Sequence, residues 1–85
     1  MGGPKTIALS SLSAGQRGVV RELQGGHRFI SRLAVLGFTP GAEVLMVRNP
    51  GRGPLIVQVR DTRIALGQGE ARRIFVSPSA DGNRE

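Results

Sequence analysis

Residues 32–41, reading Arg-Leu-Ala-Val-Leu-Gly-Phe-Thr-Pro-Gly, place a helix end, a chain reversal and a strand entry in direct succession. Apolar positions Phe29, Ile30, Leu33 and Leu36 recur at helical spacing, which predicts one short amphipathic helix starting near His27 with these four as a buried stripe. Gly37 follows the last apolar position, where a residue that tolerates positive φ lets the final helical carbonyls find partners. Phe38 is then expected to fold back onto the last turn. Thr39-Pro40-Gly41-Ala42 has proline second and glycine third, the pairing of a type II turn, and Pro40 bars any continuation of the helix. Gly37, Pro40 and Gly41 are therefore structural turn residues, and the chain must reverse into a strand.

The rest of the sequence supplies short strands. Ile7, Leu9 and Leu12 read as an extended lead-in before the turn Ser13-Ala14-Gly15, and residues 18–23 carry Val19, Val20 and Leu23 as the first clear strand, ending at Gly25-Gly26. Residues 42–48 and 55–60 are rich in β-branched and aliphatic side chains. Between them, two prolines and two glycines in residues 49–54 predict a hairpin with a long tip. Residues 60–63 then make a tight reversal, expected to be strained or wide because Asp61-Thr62 lacks the glycine such turns prefer. Residues 67–71 read as a loop or a single helical turn before a last strand at Ile74-Phe75-Val76. The domain is expected to span residues 7–76, with residues 1–6 a flexible leader and 77–85 a disordered tail. A loose myristoylation pattern in residues 1–6 is taken as a chance match.

Five or six short strands with one short helix and tight connections make the fold mainly β, a small antiparallel barrel whose interior must be filled by side chains. Alternation places Leu55, Val57 and Val59 inward against outward Ile56, Gln58 and Arg60, with Ile64 and Leu66 inward on the next strand. Val44, Leu45, Met46 and Val47 break the alternation. Either Val44 and Met46 or Leu45 and Val47 must face outward or lie beneath the helix, and with Ile56 they could form an exposed apolar patch.

At 85 residues the chain is one domain that buries only about 60% of its unfolded surface, which leaves no room for a deep substrate cavity. It has no cysteine, no apolar stretch of membrane-spanning length and no secretory core at its start, the pattern expected of a soluble cytoplasmic protein. Twelve cations, eleven of them arginine, against six acids give a net charge of +6 and raise the alternative of a basic barrel binding nucleic acid through charge. The arginines are scattered through every element, however, and the only aromatics are three phenylalanines on apolar positions. Solvated arginine faces account for the charge better than a base-stacking surface does.

No chemistry-bearing constellation emerges. His27 is the only histidine, and the acids Glu22, Glu43, Asp61, Glu70, Asp81 and Glu85 show no paired metal-ligand spacing, so neither a metal site nor a cofactor is expected. Ser10, Ser11, Ser13 and Ser31 lack a nucleophile-elbow context, and Gly15-Gln16-Arg17-Gly18 and Gly51-Arg52-Gly53 lack the glycine-lysine pair of a phosphate-binding loop. No catalytic residue is assigned, and no small-molecule substrate.

The run 32–41 resembles the hallmark of FeoA-type domains, small cytosolic partners in bacterial ferrous-iron uptake that also occur as modules on iron-responsive repressors. Leu9 and Leu12 before Gly15, the tip at residues 51–54, Ile64-Ala65-Leu66, Ala71, Ile74 and Val76 extend the resemblance over residues 7–76. Asp61-Thr62, where the family has glycine, and Gly67-Gln68-Gly69 in place of a more helical charged connection are departures. The resemblance implies an SH3-like barrel and a non-catalytic role exerted on FeoB, the membrane iron transporter with a GTP-binding cytosolic region. It would recruit the chain to the inner face of the cytoplasmic membrane. The expected docking side lies near the helix: Leu36, Phe38, Leu45 and Val47 as apolar anchors, Arg32 and Arg52 at the rim. Self-association through the apolar strand face is a further expectation, and the absence of a helix-turn-helix segment argues against a detached repressor module.

Overall fold

A computed structural model describes residues 5–79 of the chain. Its strands are β1 (Ile7–Ala8), β2 (Arg17–Leu23), β3 (Glu43–Arg48), β4 (Leu55–Val59), β5 (Thr62–Leu66) and β6 (Ile74–Pro78). Helix α1 (His27–Leu36) joins β2 to β3, a four-residue turn of helix, α2 (Gln68–Ala71), joins β5 to β6, and a single 3-10 turn, Leu9–Ser11, follows β1. The six strands form one antiparallel sheet in the order β1-β6-β2-β3-β4-β5, coiled about a single apolar core as a small barrel-like SH3-type fold. Its hydrogen-bonded ladder leaves β1 and β5 as the two edges. The leader lies outside the described residues through Pro4 and the tail from Ala80 onward.

Alternation builds the core as the sequence predicts. Leu55, Val57 and Val59 of β4 are fully buried, as are Met46 of β3 and Ile74 and Val76 of β6, while Leu9 and Leu12 close the interior from the N-terminal side. Val44 and Met46 take the inward positions of β3, so Leu45 and Val47 are the outward pair. The register of β3 on β4 slips between Met46 and Arg48, a bulge at Val47 that bends the strand as a small barrel requires.

The corner at residues 37–42 has the predicted geometry. Gly37 sits at φ 109°, its N–H donating to the Ala34 carbonyl at 3.0 Å, while the Phe38 N–H donates to Leu33 at 2.9 Å. This crossed pair is a Schellman cap, and its usual apolar contact is supplied by Phe38 and Leu33, both fully buried. The Ala42 N–H then donates to Thr39 at 2.9 Å with Gly41 at φ 95°, which closes the type II turn.

Three expectations need correction. Of the helix stripe only Leu33 is fully buried: Phe29 is half-buried against the core, whereas Ile30 and Leu36 are 36% and 39% exposed. Strand side chains and Phe38 already fill the small interior, leaving α1 to rest on it by Leu33 and Phe29 alone. Second, the last strand runs through Pro78, with Ser77 buried opposite Val19 and its hydroxyl accepting from Arg21 Nε at 2.9 Å. Ser-Pro reads as tail, yet Pro78 lies past the end of β1's pairing, where no neighbour needs its missing N–H. Third, Val59 pairs with Thr62, so the β4–β5 turn consists of Arg60-Asp61, one residue earlier than expected. Arg60 (φ 57°) is the one non-glycine residue at positive φ among the described residues.

Candidate functional site

Two surface depressions hold three of the six candidate contact residues, and they share no lining residue. The smaller, of about 140 Å3, lies between α1 and the edge strand β5: Arg32, Leu33 and Leu36 face Ile64, Ala65 and Leu66, with Glu70 of α2 at its end. Arg32 Nη2 donates to Glu70 Oε2, and Glu70 Oε1 accepts from the Gly67 N–H at 3.1 Å, so one carboxylate both caps α2 and ties it to α1. The Arg32 guanidinium also stands 5.9 Å from the Phe29 ring centroid, and that of Arg73 stands 5.5 Å away, gripping the ring between helix and barrel.

The broader depression, of about 370 Å3, opens on the outer face of the sheet. Leu45 occupies its centre, paired with Arg17 on β2 and Gln58 on β4, and Arg60 and Glu43 stand at its borders. No residue of α1 lines it, so the helix does not cover this apolar position; flanking side chains leave Leu45 half-buried.

The predicted docking set is therefore divided. Arg32 and Leu36 belong to the helix-side depression and Leu45 to the outer one, while Val47 is half-buried at the bulge. Arg52 is exposed on the β3–β4 tip. Asn49 Nδ2 donates to the carbonyls of Ser10 and Leu12 at 2.9 and 2.8 Å, and Gln68 Nε2 donates to Asn49 Oδ1 and the Gly53 carbonyl, both at 3.1 Å, which pins that tip to the barrel. Phe38 is withdrawn as a contact residue. It is completely buried, because the Schellman cap that delivers it to the core leaves no surface for a partner.

Sequence reasoning missed Val35, which at 88% exposure is the most accessible large apolar side chain among the described residues. Its spacing held the signal, since Val35 falls off the arc shared by Phe29, Leu33 and Leu36 and onto the polar face of the helix. Arg17 and Arg60 were also passed over as site residues. Strand parity identifies both as outward, but their meeting around Leu45 depends on pairing across three strands.

The family described as FeoA domain matches residues 7–78, the same span as the strands from β1 to β6. A Methanocaldococcus jannaschii protein whose name is that of an Fe(2+) transport protein A is 28% identical over 74 residues, covering 87% of this chain and 89% of its own length. Among solved structures, an iron uptake regulatory protein, FeoA, superposes with a TM-score of 0.84 at 33% identity, over 88% of this chain and 100% of the other. The FeoA of Stenotrophomonas maltophilia, described as a prokaryotic SH3 domain protein, gives 0.77 at 41% identity over 86% of this chain and 95% of its own. Sequence match and superposition cover the same barrel from end to end, and the chain belongs to the FeoA family.

Proposed function

We propose that the chain is a non-catalytic accessory protein of ferrous-iron transport that acts by docking onto the cytosolic GTP-binding region of a FeoB-type membrane transporter. Family membership and the Fe(2+) transport names of its relatives support the iron role. The observation that carries docking is the distribution of exposed apolar side chains. Among the described residues the large ones, Ile30, Val35 and Leu36, all lie on α1, and Arg32 stands one turn before Val35 and Leu36. Apolar anchors beside an arginine are the composition of a protein interface, and a ten-residue helix with one fully buried side chain has surface to spare for a partner.

Titration calorimetry with the transporter's soluble GTP-binding domain, with and without guanine nucleotide, tests the reading. Micromolar association is expected, and Val35→Glu together with Leu36→Glu should weaken it about tenfold or more while the thermal transition stays in place. Absence of association at high micromolar concentration in every nucleotide state refutes it.

A further inference from the structure

The outer depression holds more cationic donors than the fold uses. Arg17 and Arg60 line it, and among the described residues the one ion pair is Arg32 with Glu70, so neither arginine is ion-paired, although Glu43 shares the depression with them. Arg60 is held in place twice. Its backbone is fixed at φ 57° in a two-residue turn, and its side chain lies across Gly37, where an added Cβ would come within 3.0 Å of Nε and 3.2 Å of Cδ. Gln58 is oriented as well, since its Oε1 accepts from Arg63 Nε at 3.3 Å and its amide NH2 is left to donate elsewhere.

We infer that the depression between Arg17 and Arg60 is a seat for a carboxylate side chain, aspartate or glutamate, presented by a segment of a partner protein. Two guanidinium groups and one amide supply charge-assisted donors, and half-buried Leu45 supplies an apolar floor for the residue beside the carboxylate. Glu43, which lines the same depression, selects against polyanions. A phosphate backbone would be drawn past Glu43 as well as the arginines, and the lining has no aromatic side chain on which a base could stack. A single carboxylate beside an apolar residue meets the repulsion of Glu43 only once and needs no stacking partner. The seat rests on the docking reading only for which protein brings the carboxylate, and it adjoins the end of α1, where Arg60 meets Gly37.

The test is a titration of the 15N-labelled full chain with a blocked peptide, acetyl-Gly-Gly-Leu-Asp-Gly-amide, against its Asn counterpart. Shifts are expected to concentrate at Arg17, Leu45, Gln58 and Arg60 with the acidic peptide only. The double variant Arg17→Gln, Arg60→Gly should lose about tenfold in affinity, and Glu43→Gln should gain about twofold. Arg60→Gly and the double variant are both expected to melt no lower than the wild type, so loss of binding cannot be traced to loss of fold. Shifts spread equally over Arg28, Arg32, Arg72 and Arg73, or unchanged affinity in the double variant, would overturn the seat. So would tighter occupation of the same residues by a twelve-nucleotide single strand. If the peptide maps to the seat but the transporter domain does not bind, the docking reading fails and the seat stands.

Discussion

The α1–β3 corner and the β4–β5 turn both reverse the chain through positive φ, and they solve the problem with different residues. The corner uses Gly37 at 109° and Gly41 at 95°, whereas the turn uses Arg60 at 57°, a conformation that costs a side-chain-bearing residue about 1–2 kcal/mol. The corner is also anchored, because the Schellman cap sends Phe38 into the centre of the core. The turn has no such anchor: Arg60 and Asp61 are both exposed. One region is arranged for the fold. The other accepts strain to present a guanidinium, the pattern expected where local backbone strain accompanies a binding role.

The largest effect should come from removing the anchor. Phe38→Ala deletes a fully buried aromatic ring from a small interior and should cost about 3–5 kcal/mol, enough to leave a domain of this size largely unfolded at 37 °C. Urea unfolding followed by circular dichroism checks it. A loss below about 1 kcal/mol would mean that the corner is not held by the core and would remove the contrast with the turn.

Gly37→Val is next. A β-branched residue at φ 109° should destabilise by about 1–3 kcal/mol, and the new Cβ would also push against the end of Arg60. The melting temperature should fall by about 4–8 °C for each kcal/mol. Adding Arg60→Gly relieves the contact but not the backbone. If the double variant recovers full stability, then crowding by Arg60, not φ, dictates glycine at position 37.

Arg60→Gly tests the other side of the comparison, with the sign reversed. Relief of about 1–2 kcal/mol of left-handed strain, less about 0.5–1 kcal/mol for the greater freedom of glycine in the unfolded chain, leaves a net gain of about 0.5–1 kcal/mol. Thermal melts should register an increase of a few degrees. A destabilised Arg60→Gly protein would show that the arginine serves the fold through its contact with Gly37.

These two regions also mark how much of the molecule can be read from its residues. The corner is legible because each step is local: helical spacing, a glycine, then Pro-Gly at fixed turn positions. Alternation in β4 likewise exposes the core side of the barrel before any pairing is known. The docking surfaces are less legible. Leu36 and Leu45 look like members of one apolar face in sequence, but strand order and the position of α1 send them to separate depressions. Phe38 looks like an anchor for a partner because an aromatic after a helix cap suits both roles; only the depth of the core decides. The Arg60 turn fell one residue off because register across β4 and β5 is set by the paired strands, and nothing in Arg60-Asp61 advertises positive φ.

The smallest effect separates an arginine that is already paired from one that is not. Arg32 and Glu70 join α1 to α2 on the surface, with 59% and 36% of their side chains exposed, so water and salt screen most of their attraction. Arg32→Gln should therefore cost only about 0.3 kcal/mol in low salt, fading to nothing near 1 M sodium chloride, because Glu70 keeps its hydrogen bond to Gly67. Glu70→Gln should cost more than Arg32→Gln, since it weakens the α2 cap as well as the pair. Equal losses would mean that the carboxylate's contribution to the cap is negligible. A loss above about 1 kcal/mol in Arg32→Gln would show that α1 is held to the barrel chiefly by this pair, so that the face presented to a partner depends on it.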